Sequence, residues 1–208
     1  SNTYIYIVQQ KIKRILDLSI AFLGLIFIMP AFSLISIAIL LDSPGPIFQK
    51  TCRIGKGFKP FYMYKFRTMY VDSEELVNEL LSEAEKQKNT HSKICILRKD
   101  PSTTRLGKFL RTYSLENLPQ LINVLIGDMS FVGPIPLVIE EKNLISKLYR
   151  KRFNVLPGMT GAWQIDRLSN YTFEELCKLE LLYVSQWNLF LDLRIILMTI
   201  PKILFKQL

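Results

Sequence analysis

Hydrophobic and polar positions divide the chain into one long uncharged segment and a body of shorter, mixed elements. Residues 18–41 carry no charge, and a helix of that length is about 36 Å long, enough to cross a bilayer. A second apolar segment, residues 187–208, contains four charged residues and Pro201. Those charges are too frequent for a span, so we predict amphipathic helices at a membrane interface, with a core helix as the alternative.

Pro30 lies near the centre of the uncharged segment, where it removes a backbone hydrogen bond and predicts a bend. Basic residues flank the segment on both sides, and such residues are enriched on the cytoplasmic side of membranes. We therefore predict a helix that enters the membrane, bends at Pro30 and leaves by the same face, with Ser33 or Ser36 bonding the freed backbone groups. A plain transmembrane anchor is the alternative. The flanking cations are Lys11, Lys13, Arg14, Lys50, Arg53, Lys56 and Lys59.

The body shows signals for both strands and helices. Alternation over residues 60–69 predicts a strand. Asp72 predicts the start of a helix that runs to about Lys86, and residues 172–175 form a capping box that opens another helix. Ser114 predicts a further helix start, with Gly127 as its end.

These elements predict one domain over residues 1–208. The predicted fold class is α/β, mostly α, with a re-entrant membrane helix at 11–41 and a small cytoplasmic α/β domain at 42–208. Amphipathic helices at the C-terminal end of that domain are expected to lie at the interface.

The formal net charge of +9 indicates an acidic partner, which is nucleic acid, anionic lipid or a phosphorylated substrate. None of the common nucleic-acid-binding signatures is present in the sequence, so we expect no nucleic-acid partner. Arg105, Lys108 and Arg111 recur every three residues, which places them on one face of a helix. Because this face leads to the helix start at Ser114, it predicts a phosphate site; a solvated basic face is the alternative.

A series of short motifs follows in order along the chain from about residue 11 to residue 205, and a run of this kind is more specific than any single motif. They comprise the Pro30 helix and residues 45–48, 53–56, 64–69, 105–111, 127–134, 157–161, 163–164 and 191–193. Together they resemble the bacterial sugar transferase family, the monotopic polyprenyl-phosphate phosphoglycosyl transferases.

The resemblance implies a magnesium-dependent transfer of a sugar phosphate. The donor would be a UDP-sugar, and the acceptor would be the lipid polyprenyl (undecaprenyl) phosphate at the cytoplasmic face of the bacterial inner membrane. This reaction would be the first membrane step of surface polysaccharide or glycan assembly.

The family's Asp-Glu pair is replaced here by Glu116 and Asn117. The resemblance implies that Glu116 is the nucleophile, which keeps the charge but adds a methylene, while Asn117 cannot act as a base. Glu116 and Asp128 are the implied ligands of Mg²⁺, which prefers carboxylate and phosphate oxygens. A turn-stabilising side chain is the alternative for Asp128.

The resemblance also implies a set of residues that bind phosphate and substrate. For Arg53 the alternative is adhesion to anionic lipid. The family's Gly-Pro-Arg-Pro motif has Ile135 in place of its arginine. Because of these departures, the alternative function is a catalytically inactive homologue that pairs with an active transferase; a homo-oligomer is the other predicted association. The implied binding residues are Arg53, Lys65, Arg67, Arg105, Arg111, Pro134, Pro136 and Gln164.

Overall fold

The computed structural model describes residues 2–71, 103–139, 147–165 and 172–204. The helix predicted from Asp72 to Lys86 lies outside these residues. The described part is mostly helical, with a long apolar N-terminal helix and a small α/β body, which confirms the predicted fold class.

Six α-helices lie in the described residues. The first, α1, is long and apolar enough to cross a membrane. Three 3₁₀ helices accompany them in the described residues: Lys56–Phe58, Leu115–Asn117 and Lys147–Asn154. The α-helices are α1 (Asn2–Asp42), α2 (Arg105–Thr112), α3 (Gln120–Ile126), α4 (Ala162–Ile165), α5 (Phe173–Gln186) and α6 (Leu189–Leu204).

Five short strands form two sheets in the same described ranges. Strands β1 (Phe48–Ile54), β2 (Pro60–Phe66) and β4 (Leu137–Val138) form a sheet of order β2-β1-β4, in which β1 and β4 are antiparallel. Strands β3 (Ser130–Val132) and β5 (Gly158–Thr160) pair in parallel. The strand predicted over residues 60–69 is β2, and the alternation reflects Phe61 and Met63 pointing into the core.

The chain forms two compact units, and we call them the larger and the smaller unit. The larger unit comprises Ser1–Met29, Lys50–Tyr64 and Pro119–Leu208, and the smaller unit comprises Pro30–Gln49 and Lys65–Leu118. The division into one domain with a re-entrant helix stays a prediction.

The first half of α1 is part of the core of the larger unit. Ala21 is fully buried in a cluster with Phe61, Leu121 and Met129, and Leu25 packs against the same cluster. The first half of the apolar helix α1 therefore also forms one side of the hydrophobic core of the larger unit.

Polar side chains of α1 reinforce this packing. Lys13 Nζ lies 2.5 Å from Asp192 Oδ2 on α6. Arg14 donates from Nη1 to the Val124 carbonyl at the end of α3, at 2.8 Å. Asp17 Oδ1 accepts from the Phe131 N–H of β3 at 3.2 Å. Two cations that flank the uncharged segment are thus engaged in contacts within the larger unit.

The smaller unit has its own core. Ile39 of α1, Phe66 of β2 and Leu110 of α2 are buried together, with Leu115 and Leu118 packed against them. Phe66 also lies within 4.7 Å of the Phe32 ring, measured between centroids. This cluster brings the chain after β2 beside α2 and the turn that follows α2.

Two prolines lie inside helices. The helix α1 continues through Pro30, and the Ser36 hydroxyl donates to the Phe32 carbonyl at 2.7 Å. Proline frees the carbonyl four residues earlier, which is that of Ile26, so Ser36 bonds a different carbonyl. The helix α6 likewise continues through Pro201, to Leu204.

Candidate active site

Close packing of α2 on the segment after β2 creates the site in the smaller unit. Thr104 caps α2 by accepting from the Gly107 N–H at 2.9 Å, and its own N–H donates to the Thr68 carbonyl at 3.0 Å. A Cβ on Gly107 would lie 2.1 Å from the Thr68 oxygen. Only glycine therefore allows α2 to approach the backbone at Thr68 this closely.

Two buried threonines hold the Arg111 side chain. Arg111 Nε donates to Thr68 Oγ1 at 3.1 Å, and its Nη1 donates to Thr103 Oγ1 at 2.9 Å. Arginine's planar fork of donors suits such fixed geometry. The last turn of α2 therefore presents a guanidinium in a defined orientation.

A tight turn between α2 and α3 carries Glu116 and Asn117. Ser114 has left-handed backbone angles (φ 53°, ψ 21°), and a 3₁₀ turn, Leu115–Asn117, follows it. Leu115 and Leu118 pack into the core of the smaller unit. Because Leu115 and Leu118 are anchored in this core, the backbone between them is fixed, and it holds Glu116 and Asn117 in place.

Glu116 and Asn117 are hydrogen-bonded to each other. Asn117 Nδ2 donates to Glu116 Oε1 at 3.0 Å, while Glu116 Oε2 is buried and has no hydrogen-bond partner among the described residues. Burial raises the pKa of the Glu116 carboxyl; its own backbone N–H, the charges of Lys65 and Arg111, and the Asn117 hydrogen bond oppose that rise. The structure thus brings Lys65, Arg111, Glu116 and Asn117 together.

The helix predicted to start at Ser114 begins later. Pro119 separates the 3₁₀ turn from α3, which starts at Gln120 and ends at Gly127 with φ 99°. Leu118 and Pro119 keep helical backbone angles, but a proline has no N–H to donate, so the backbone hydrogen bonding is interrupted at Pro119. The site therefore has a single tight turn where the sequence predicted the first turn of a long helix.

Other predicted phosphate-binding cations of the smaller unit lie in different surroundings. Arg67 is 6% exposed, and its Nη2 donates to the Ser43 carbonyl at 2.6 Å while Nη1 donates to the Pro44 carbonyl at 2.7 Å. This geometry shows that Arg67 holds the segment after α1, and the phosphate-binding role predicted for it stays a prediction. Arg105 is exposed at the start of α2.

The predicted residues Arg53 and Gln164 belong to the larger unit. Arg53 Nη1 donates to the Pro136 carbonyl at 3.5 Å, next to the pairing of β1 with β4. Gln164 Oε1 accepts from the Thr160 hydroxyl at 2.5 Å, and the Gln164 carbonyl accepts from Lys202 on α6 at 2.9 Å. The binding role predicted for these two residues stays a prediction.

The segment from Pro134 to Pro136 is fixed by a buried ion pair. Glu180 Oε1 accepts from the Ile135 N–H at 2.6 Å, and Arg152 Nη2 donates to the Ile135 carbonyl at 2.9 Å. The two charged side chains are 2.5 Å apart, and each is 1% exposed. Burial raises the pKa of Glu180 to about 7, with Arg152 opposing the rise. Pro134 and Pro136 are themselves buried.

The residues that the structure describes include no group of three histidine, cysteine or carboxylate side chains that could hold a metal ion. Mg²⁺ commonly takes one or two protein carboxylates and fills its other positions with phosphates and water. The half-buried Glu116 carboxylate is a group of the kind that fills one such position. Asp128 is half-buried in the larger unit, directly after Gly127, and its N–H donates to the Asn123 carbonyl at 3.0 Å.

Several important residues escaped prediction. Thr68 and Thr103 anchor Arg111, yet two threonines separated along the chain give no pattern of their own. Glu180 had a usable signal, because a carboxylate between Cys177 and Tyr183 lies on the inward face of the predicted helix. A charge on an inward face requires a buried partner, here Arg152.

Comparisons with known proteins agree in one family. The family model described as bacterial sugar transferase matches residues 8–206. Galactosyl transferase CpsE of Streptococcus agalactiae is 35% identical over 92% of this chain and 42% of that protein. The UDP-glucose:undecaprenyl-phosphate glucose-1-phosphate transferase of Escherichia coli is 33% identical over 94% of this chain and 40% of that protein.

The exopolysaccharide production protein ExoY of Sinorhizobium fredii is 35% identical over 92% of this chain and 84% of that protein. The chain thus spans less than half the length of the two larger relatives and most of the length of the smaller one.

Proposed function

The chain belongs to the bacterial sugar transferase family, and on this basis we propose that it transfers a sugar phosphate from a UDP-sugar to undecaprenyl phosphate. This would be the first membrane step in assembling a surface polysaccharide. The observation that carries the proposal is the Glu116 carboxylate, held in a tight turn beside two cations, Lys65 and Arg111.

The reaction we propose has two displacements. Glu116 attacks the sugar-bound phosphorus of the UDP-sugar, the bond from that phosphorus to the bridging oxygen breaks, and UMP leaves with the electron pair. A phosphate oxygen of undecaprenyl phosphate then attacks the same phosphorus and releases the Glu116 carboxylate. An acyl phosphate intermediate of this kind divides one difficult transfer into two easier ones.

Cations are needed because an anionic carboxylate must approach an anionic diphosphate. Arg111, oriented by Thr68 and Thr103, offers guanidinium donors that match phosphate oxygens. Lys65 adds a second charge at the carboxylate. We propose that the Glu116 carboxylate would help to hold Mg²⁺, which would neutralise further diphosphate charge when bound. The ligand role predicted for Asp128, which belongs to the larger unit, stays a prediction.

The proposed location is the cytoplasmic face of the bacterial inner membrane, with α1 entering and leaving by that face. The contact between Lys13, before the uncharged segment, and Asp192, after it, supports this path. A helix that crossed the membrane once would place these two residues on opposite sides. The exposed apolar side chains Phe190, Leu193 and Leu197 of α6 support contact with the interface.

The test is release of UMP from a panel of UDP-sugars, with undecaprenyl phosphate and Mg²⁺ present. We expect release that depends on the lipid and that is lost in Glu116→Gln, because an amide cannot form the acyl phosphate. Glu174→Gln is the matched control, since Glu174 is an exposed glutamate on α5. Turnover that survives Glu116→Gln would remove Glu116 as nucleophile.

A further inference from the structure

The two carboxylate oxygens of Glu116 have different surroundings. Oε1 accepts a hydrogen bond from Asn117 Nδ2 at 3.0 Å. Oε2 is buried and accepts none from the described residues. A buried polar atom without a partner is unfavourable, so Oε2 is the oxygen whose energy falls most when it gains a new bond.

Asn117 is well placed to cause this difference. The side chain of glutamate has one more rotatable bond than that of aspartate, so it needs an additional contact to hold its carboxylate in one orientation. The amide of Asn117 supplies that contact from the same turn, which Leu115 and Leu118 anchor in the core. Because the amide is neutral, it also adds no negative charge where a diphosphate would bind.

We propose that Asn117 is a positioning residue that occupies Oε1 of Glu116 and leaves Oε2 as the oxygen that attacks phosphorus. This inference rests on the proposed function. In the first displacement Oε2 gives an electron pair to phosphorus, and the bond to UMP breaks with its pair leaving on UMP. Oε1 becomes the carbonyl oxygen of the acyl phosphate and keeps its hydrogen bond from Asn117. In the second displacement the bond between phosphorus and Oε2 breaks, and the pair returns to the carboxylate.

The test compares two substitutions of Asn117 that differ in the donor. Asn117→Leu keeps a similar shape and removes the amide donor without adding charge, whereas Asn117→Gln keeps an amide on a longer side chain. We expect the kcat for UMP release to fall about 100-fold in Asn117→Leu, while KM for the UDP-sugar changes by about twofold or less, since the cations that bind the diphosphate are unchanged. Asn117→Gln should recover about tenfold of that loss.

Asn154→Leu is the matched control, because Asn154 is exposed in the larger unit, and its kcat should equal that of the unmodified protein. Intact mass and peptide mapping after mixing with UDP-sugar alone follow the sugar-phosphate adduct on Glu116. If Asn117→Leu does not fold, Asn117→Ala also loses the donor without adding charge and is expected to show the same fall in kcat.

The outcomes separate this inference from the proposed function. An unmodified protein that neither releases UMP nor forms an adduct on Glu116 overturns the proposed function. An active unmodified protein with an equally active donorless variant overturns only the role of Asn117. The role of Asn117 is also overturned if Asn117→Leu and Asn117→Gln lose kcat equally, or if KM rises and kcat does not change. In either case the hydrogen bond from Asn117 does not act on the attacking oxygen.

Discussion

Gly107→Ala is a sharp test of how the site is assembled. The Cβ of alanine would lie 2.1 Å from the Thr68 oxygen and 2.8 Å from the Thr68 carbonyl carbon. Both obstacles are backbone atoms, so no side-chain rotation relieves them. The distance to the oxygen must grow to at least 3.0 Å, which requires α2 and the segment at Thr68 to separate by about 0.9 Å.

The size of the effect follows from two opposing contributions. Replacing glycine by alanine inside a helix stabilises it by about 1 kcal/mol. Overpacking costs about 1–3 kcal/mol, with the upper value expected against backbone. We therefore expect the free energy of unfolding to fall by about 1–2 kcal/mol, which lowers Tm by about 2–8 °C for a chain of this size.

Activity should fall more steeply than stability. Arg111 lies one turn after Gly107 on α2, and Thr68 is one of its two anchors. Separating these elements moves the guanidinium relative to Glu116, and a misplacement of about 1 Å can lower a rate about 100-fold. We expect kcat for UMP release to fall by about that factor in protein that remains folded at the assay temperature.

Thermal unfolding in detergent and UMP release measure the two effects on the same preparation. Gly24→Ala is the matched control: Gly24 is also inside a helix, and its Cβ would meet Leu121 at an ordinary 3.8 Å. That variant should be as stable as the unmodified protein or slightly more stable. If Gly107→Ala behaves like Gly24→Ala in both assays, the close approach of α2 to Thr68 does not exist in solution.

Two further predictions concern charge. Burial raises the pKa of Glu116, so its ionised, nucleophilic form is lost at a higher pH than that of an exposed glutamate. The acid limb of the kcat/KM profile should therefore lie above pH 4.5, the ordinary pKa of glutamate. A limb at or below that value would contradict the burial of this carboxyl. Asp192→Ala removes the acceptor of Lys13, Tyr183 and Trp187 and should lower the free energy of unfolding by about 3–5 kcal/mol, as loss of one member of a buried pair does. Chemical denaturation measures this loss, and the exposed Asp42→Ala is its control; equal stability of the two variants would show that the contacts of Asp192 contribute nothing.

Local sequence signals predicted much of the fold. The alternation that predicts β2 and the capping box at Thr172 depend on residues close together in the chain, and both are found in the structure. Gly127 ends α3 as predicted because glycine adopts the left-handed conformation readily. The helix start predicted at Ser114 is wrong, because Pro119 has no N–H to donate and α3 begins only at Gln120.

Contacts between residues that are far apart in the chain could not be predicted from the sequence. The motif residues gave Arg111 and Glu116 as neighbours in one site, but not the threonines that orient Arg111. Arg67 carried the same signal as Lys65, a cation in the aromatic strand segment. Arg67 lies just after the end of β2, and its guanidinium bonds the backbone at Ser43, a contact between residues 24 positions apart that no local pattern predicts.

The burial of Ala21 and the contacts of Lys13 have a practical consequence for anyone preparing this protein. A shortened version without α1 could be made in order to avoid detergent. It would lose the side chains of α1 that cover one side of the hydrophobic core, and Phe61, Leu121 and Met129 would be exposed to water. Asp192 would lose its cation at the same time. Such a version is expected to aggregate, so the apolar helix α1 has to be kept and solubilised together with the rest of the chain.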